Sequence, residues 1–459
     1  MYAVPYDQVL DKYHGHGRHK VEVELWNIHH MPARPYNPFA KHTLLPRYLV
    51  GTVGVRQYSS NSRKAVISSI QHITYDLGNP LHPFLVVDEC RACHCQTRNG
   101  TVDNCPYNET SYADHATCTT LCWPSRPYDV LSKDDWRPMK NKCMTANSHN
   151  SCMQCFDDGS HSRFYVPGEA QHLVLISTGK QIVSQTQNAV NSSRSLESNQ
   201  AELDLIPLGT NFQFAALTKI VPEIDRMWGN FGIGYNSSFL QQMQYTSFLL
   251  HLRVSKHGLP LSNRQSGGSF ILFNPDKIKR KVGAIGVKYI IDDHARRVHK
   301  VHGIGIDPLA DHNSMNIATK VNMTLFHIDS GNNGISVNDT SLYEYLRFNT
   351  HGEWRLPSPS LANDLFGPNV RECETESGTA SKVLFVPFNP ATAPSLIISL
   401  SSRAVATIPG SVWVISEDGA TLFSTYHKNV LGLPFLSCSQ KDFLFDDDEL
   451  MLYMIDNQE

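Results

Sequence analysis

The stretch FHIDSGNNGISV, residues 326 to 337, ends an apolar run on Asp329 and follows it with Ser330 and Gly331. A carboxylate at the end of a buried strand, followed by a small residue and a glycine, sits at a tight turn whose backbone N–H groups can aim back at it. Two such turns facing one another bring two carboxylates close together. Like-charge repulsion then splits their titration, and the pair holds one proton over the acid range. One carboxylate can take a proton from a bound water while the other protonates or polarises a carbonyl. The partner that the sequence offers is Asp88, where the apolar run LHPFLVVD ends. Each aspartate is followed far downstream by an apolar-apolar-glycine element, WGNFGIGYNSSFL at 228–240 and KNVLGLPFL at 428–436. The repeated layout predicts two homologous lobes.

The elements that would position such turns are strands. Short β-branched runs separated by Gly, Asn, Asp and Pro recur along the chain: AVISSIQHITYD, HPFLVVD, HLVLI, SFLLHLRV, GSFILF, KYIID, ATIPGSVWVI and ELMLYMI. This pattern predicts a mostly β fold. Helical patterning is sparse, and its better candidates are TSLYEYLRF and ALTKIVPEIDRMW. Residues 1–65, rich in His, Pro and Arg with KVEVELW as the one clear alternating stretch, read as an N-terminal extension or pro-segment. A chain of 459 residues is expected to divide further. The division expected is a first β lobe over 66–280, with a cysteine-rich insertion, and a second over 281–459.

A net charge of −3 without a long Lys/Arg block excludes a nucleic-acid footprint, and no apolar run reaches the length of a membrane helix. Nine of the eleven cysteines fall between Cys90 and Cys155, as in a local disulfide framework. Glycosylation sequons begin at Asn99, Asn108, Asn191, Asn236, Asn322 and Asn338. Together these favour the secretory route or an extracellular location, although the first residues show no signal-peptide pattern. Cys90-x-x-Cys93 and Cys152-x-x-Cys155 have the ligand types of a zinc site, but the pairs are far apart and the remaining cysteines would be unexplained. Disulfides are the expected use, with no metal and no cofactor.

With these residues in view, the chain resembles the pepsin-like aspartic protease family from about Ala65 to Asp456. YDLGNPLHPFLVVD resembles the lead-in to the family's first aspartate and CFDDGSHSRFYVPGE its flap, with Phe156 and Gly159 over the substrate. WGNFGIGYNSSFL resembles the glycine-rich loop of the first lobe, FHIDSGNNGISV the second catalytic loop, and KNVLGLPFLSCSQKDFLFDDDELMLYM the closing strands.

The resemblance implies a bilobal fold of two antiparallel β lobes with a central cleft. It also implies a monomer that binds an extended peptide or protein substrate and hydrolyses it with a dyad of Asp88 and Asp329. Ser330, Gly331 and Asn332 would support the dyad, the Asn332 amide donating to a carboxylate.

The first motif departs from the family's Asp-Thr-Gly-Ser-Ser. Asp88 is followed by Glu89, Cys90 and Arg91, which change both turn geometry and charge. Weak or absent catalysis is the expectation, and an inactive relative that keeps the cleft to bind peptides or proteins is the alternative. A second alignment assigns ECRACHC to the cysteine cluster and leaves the Thr-Gly-Ser-Ser segment missing.

The family often bridges its second lobe, which implies a Cys373–Cys438 disulfide. A loop of that size is worth about 4 kcal/mol in the chain-entropy model. Non-reducing peptide mapping of the secreted protein is expected to recover those two cysteines in one linked peptide pair; two free thiols would refute the bridge.

Overall fold

The structure is a computed structural model. It describes residues 21–26, 49–58, 65–78, 83–88, 121–122, 128–130, 162–167, 171–176, 205–208, 212–217, 229–252, 266–272, 285–307, 324–332, 334–358, 361, 381–416, 418–425, 428–437 and 441–456. The protein is mostly β, as its sequence patterning predicts.

One three-strand arrangement occurs twice. In the first half the Ala65–Asp76 strand ends on its aspartate, and the Gly229–Gly232 strand runs parallel beside it, with Phe231 opposite Tyr75 and Gly232 opposite Asp76. Gly229–Gly232 is in turn antiparallel to Phe84–Asp88. In the second half Thr324–Ile328 leads into Asp329, and Val430–Leu431 lies parallel to it. Val430–Leu431 is antiparallel to Ile335–Val337. Each apolar-glycine element thus sits between an aspartate-bearing strand and the strand that follows it. A backbone bond ties each aspartate to its glycine element, in opposite directions: Ile233 N donates to Asp76 O at 2.8 Å, and Asp329 N donates to Leu431 O at 3.1 Å.

Six antiparallel strands join the halves. In order they are Val21–Trp26, Ser266–Leu272, Ser247–Leu252, Lys441–Asp446, Met451–Asp456 and Ile285–Ile291. Most of their buried residues are large and apolar, and Phe248 stacks on Phe445 with ring centroids 5.0 Å apart. Arg297 is buried against both rings, its guanidinium 5.2 Å from each centroid. It forms a two-pronged pair with Asp447, Nε to Oδ1 at 2.8 Å and Nη2 to Oδ2 at 2.7 Å, and donates its Nη1 to Ile233 O at 2.8 Å. One arginine therefore ties the second half to the peptide unit beside Asp76.

Two stretches of residues 1–65, the expected N-terminal extension or pro-segment, pair into the sheets: Val21–Trp26 with Ser266–Leu272, and Leu49–Tyr58 with Ala65–Asp76, burying Leu49 and Val53. Their β-branched alternation outweighs the surrounding His and Pro. ATIPGSVWVI is not one strand. It stops at Ile408, and Pro409, lacking an N–H for the ladder, starts a helical turn over Gly410–Trp413. Of the expected helix at ALTKIVPEIDRMW, Ala216 and Leu217 belong to the Phe214–Leu217 strand, and residues 218–228 lie outside the described residues. The expected helix at TSLYEYLRF is present as Thr340–Thr350, capped by Asp339, whose carboxylate accepts from Ser341 N at 2.8 Å and Leu342 N at 3.2 Å.

Removing one partner of a buried, hydrogen-bonded ion pair leaves an uncompensated charge and typically costs about 3–5 kcal/mol. Asp447→Ala is expected to lose that much in urea denaturation, and the joint change Arg297→Met with Asp447→Leu to recover most of it.

Candidate active site

The Tyr75-Asp76-Leu77-Gly78 and Ile328-Asp329-Ser330-Gly331 turns meet where the two halves cross. In each, a carboxylate oxygen accepts the N–H of the glycine two residues on, Gly78 N to Asp76 Oδ1 at 2.9 Å and Gly331 N to Asp329 Oδ1 at 2.7 Å. The approach leaves no room for a side chain at Gly78, where a Cβ would lie 2.5 Å from the Asp329 carboxyl carbon. A Cβ on Gly331 would lie 3.1 Å from Asp329 Oδ1 and 3.2 Å from Asp76 Oδ1. Space thus requires the glycine at position 78, and at position 331 a side chain would crowd both carboxyls.

Ser330 links the turns. Its buried hydroxyl accepts from Leu77 N at 2.9 Å and donates to Tyr75 O at 3.0 Å. Leu77, at the matching position, has no hydroxyl with which to return the bond. Asn230, from the glycine element of the first half, donates its side-chain N–H to Asp76 Oδ2 at 3.3 Å.

Burial, then the neighbouring Asp329 charge, pushes the Asp76 carboxyl up to about 8 against the opposing hydrogen bonds from Asn230 and Gly78. Burial also raises Asp329, but the Gly331 N–H, the hydrogen bond from Asp76 and the Arg296 charge all favour its ionised form. The pair holds one proton, and that proton belongs on Asp76.

Two imidazoles lie on the Asp329 side. His299 is fully buried, and neither ring nitrogen has a hydrogen-bond partner among the described residues. Burial and then the Arg297 charge push it down to about 3. Burial and then Arg296 push His327 down to about 4, and its Nδ1 stands 3.8 Å from Asp292 Oδ2.

Of the residues singled out in the sequence, Asp329, Ser330 and Gly331 meet at this crossing. Asp88 does not supply the partner carboxyl: Asp76 does, one strand earlier. Asp88 ends its strand with its backbone paired to Cys122, and its side chain lies outside the described residues. The physical reason is the glycine, because only Asp76-Leu77-Gly78 has one at the spacing that permits the approach to Asp329. The signal was present in ITYDLGN but hidden by the leucine where a hydroxyl residue was sought.

Asn332 is corrected as well. Its amide donates to Ser336 Oγ at 3.2 Å and its Oδ1 accepts from Gly334 N at 2.9 Å, so it braces its own loop. Asn230 had no sequence signal beyond its glycine-rich surroundings. Asn236 and Asn338 are exposed. Phe156, Gly159, Cys373, Cys438, Asn99, Asn108, Asn191, Asn322 and the Cys-x-x-Cys pairs lie outside the described residues.

No protein-family model matches the chain, and no curated protein matches it. Among solved structures it is similar to conglutin gamma, a unique basic 7S globulin from lupine seeds. The identity is 13% and the TM-score 0.43, over 88% of this chain and 94% of that one. A likeness of that degree supports no inference about activity.

The two kinds of shifted group act oppositely on stability. Between the ordinary carboxylate range and about 8, folded Asp76 keeps a proton that the unfolded chain releases, so its contribution is full at low pH and fades as pH rises. Between 6.5 and about 3, unfolded His299 takes a proton that the folded state refuses, so its contribution is lost as pH falls. Each slope is at most about 1.4 kcal/mol per pH unit per group. Urea midpoints across this range are expected to show Asp76→Asn flattening the alkaline fall and His299→Leu flattening the acid fall.

Proposed function

We propose that the chain is an aspartic-type endopeptidase of the pepsin-like kind, with Asp76 and Asp329 as its dyad. The observation that carries this reading is the meeting of two carboxyls at the crossing of two matching turns. In the reaction, Asp329 takes a proton from water as the water oxygen bonds to the peptide carbonyl carbon, and Asp76 gives its proton to the carbonyl oxygen. Collapse of the resulting diol returns a proton to Asp76 and breaks the C–N bond, while Asp329 delivers its proton to the leaving amine. An extended peptide fits this chemistry, its backbone pairing as an added strand.

The impairment expected from Glu89, Cys90 and Arg91 loses its force once Asp76 supplies the first carboxyl. One observation favours the inactive, peptide-binding alternative: Leu77 cannot return the Ser330 bond, so one half of the tie between the turns is missing. Secretion remains part of the proposal, supported by the cysteine cluster and the sequons, two of which begin at exposed asparagines.

Cleavage of denatured globin at acid pH tests the reading. Asp76→Asn and Asp329→Asn are each expected to lower kcat by roughly 10²–10⁴-fold, the usual worth of a positioned acid or base, and Asp88→Asn to lower it far less. A statine-type inhibitor, which sets a hydroxyl between the carboxyls, should bind the unmodified chain and lose affinity in both dyad variants. Inhibitor binding without cleavage would favour the inactive relative; an effect of Asp88→Asn equal to that of Asp76→Asn would overturn the dyad assignment.

A further inference from the structure

We propose that Asn230 is a positioning residue for the acid of the dyad, its buried amide steadying the Asp76 carboxyl once that group has passed its proton to the substrate; this deepens the endopeptidase reading and rests on it. The repeated frame shows why the residue stands out. In the first half Asn230 lies opposite Thr74, Phe231 opposite Tyr75 and Gly232 opposite Asp76. In the second half Val430 lies opposite His327 and Leu431 opposite Ile328, so Val430 stands where the first half has Asn230. Both residues are buried. A valine suits such a place, whereas a buried amide must find hydrogen bonds or leave polar atoms unsatisfied. Asn230 finds one, from Nδ2 to Asp76 Oδ2 at 3.3 Å, and its Oδ1 has no partner among the described residues. Packing accepts valine at this position in the frame, so the bond to Asp76 is what the amide adds.

That bond suits one state of the acid better than the other. An N–H donates more strongly to a carboxylate than to a neutral carboxyl, and the bond shortens as charge builds on the acceptor. With the proton on Asp76 the bond is long; when the proton leaves for the carbonyl oxygen, the amide already faces the group that gains charge. It therefore favours the reacting state over the bound substrate, the kind of contact that raises kcat rather than lowering KM. Being buried, Asn230 acts through Asp76. The Asn230 and Gly78 N–H groups also oppose the upward push that burial and Asp329 give the Asp76 carboxyl. The other titratable groups at this corner are few. Asp329 faces Asp76 across the turns and lies in the field of Arg296, and Arg297, at Ile233 O, is paired with Asp447. Burial pushes the Tyr75 hydroxyl up, so it stays neutral. Thr74 and Phe84, opposite Asn230 on the two neighbouring strands, carry no charge, and the Asp88 side chain lies outside the described residues.

The test uses the full chain cleaving denatured globin, with Asn230→Leu, which keeps nearly the same size, and Asn230→Ala. Each is expected to lower kcat by roughly tenfold with KM little changed, the worth of a hydrogen bond to a charged group. Each should also move the alkaline limb of the kcat profile up by roughly one pH unit, because Asp76 without the amide keeps its proton to higher pH. Activity thus falls while its pH range widens, and a variant that merely loosened the site would show the fall alone. An unchanged kcat, or a lowered kcat with the alkaline limb in place, overturns the inference, while cleavage by the unmodified chain keeps the endopeptidase reading. In the unmodified chain the nuclear magnetic resonance of the Asn230 side-chain amide is expected to shift in step with the alkaline titration of the dyad. A resonance that stays fixed overturns the inference whether or not the variants fold. Inertness of the unmodified chain toward globin removes the endopeptidase reading and this inference with it.

Discussion

Two carboxyl groups enclosed at the crossing of two turns cannot both carry charge, and the rest of the molecule is arranged around keeping them there. Glycine must stand two residues after Asp76, because a Cβ at Gly78 would meet the Asp329 carboxyl at 2.5 Å. The turns must be held from behind, which the parallel glycine elements do through the bonds at Asp76 O and Asp329 N. The halves must also keep their relative position to within a fraction of an ångström for the contact to persist. The joining sheet, the buried Arg297–Asp447 pair and the Ser330 hydroxyl share that task.

The backbone repeats, but the chemistry does not. Around Asp76 the second carboxylate oxygen meets a neutral amide, that of Asn230, whereas Asp329 lies in the field of two cations, Arg296 and Lys428. A symmetric frame with unequal surroundings gives the two carboxyls separate roles, since equal ones would leave the proton undecided. The missing hydroxyl at Leu77 extends the inequality to the tie itself.

Much of the fold was legible because strand patterning is local. AVISSIQHITYD, KYIID and ELMLYMI each became the strand that their β-branched content foretold, and TSLYEYLRF became a helix with an aspartate cap. The second half of the site was legible for the same reason, since Asp329, Ser330 and Gly331 are consecutive. The first half was misread because its evidence lies in a distance between turns that the sequence does not display. Asp88 follows the more apolar strand, but it has no glycine at the required spacing; Asp76 has the glycine behind a misleading leucine. Arg296 was invisible for a related reason, since only the sheet register brings it beside Asp329.

The two N-terminal strands carry a consequence for processing. Val21–Trp26 covers the outer edge of Ser266–Leu272 in the joining sheet, and Leu49–Tyr58 covers the flank of the strand that bears Asp76. A proteolytic cut that released everything before Ala65 would bare three rows of unpaired N–H and C=O groups at once, on Ser266–Leu272, Ala65–Asp76 and Gln171–Ile176. Such edges pair with whatever strand is offered, including the same edge of another copy. Maturation of that kind would therefore have to bring in a replacement strand, or it would convert a self-contained chain into one that polymerises.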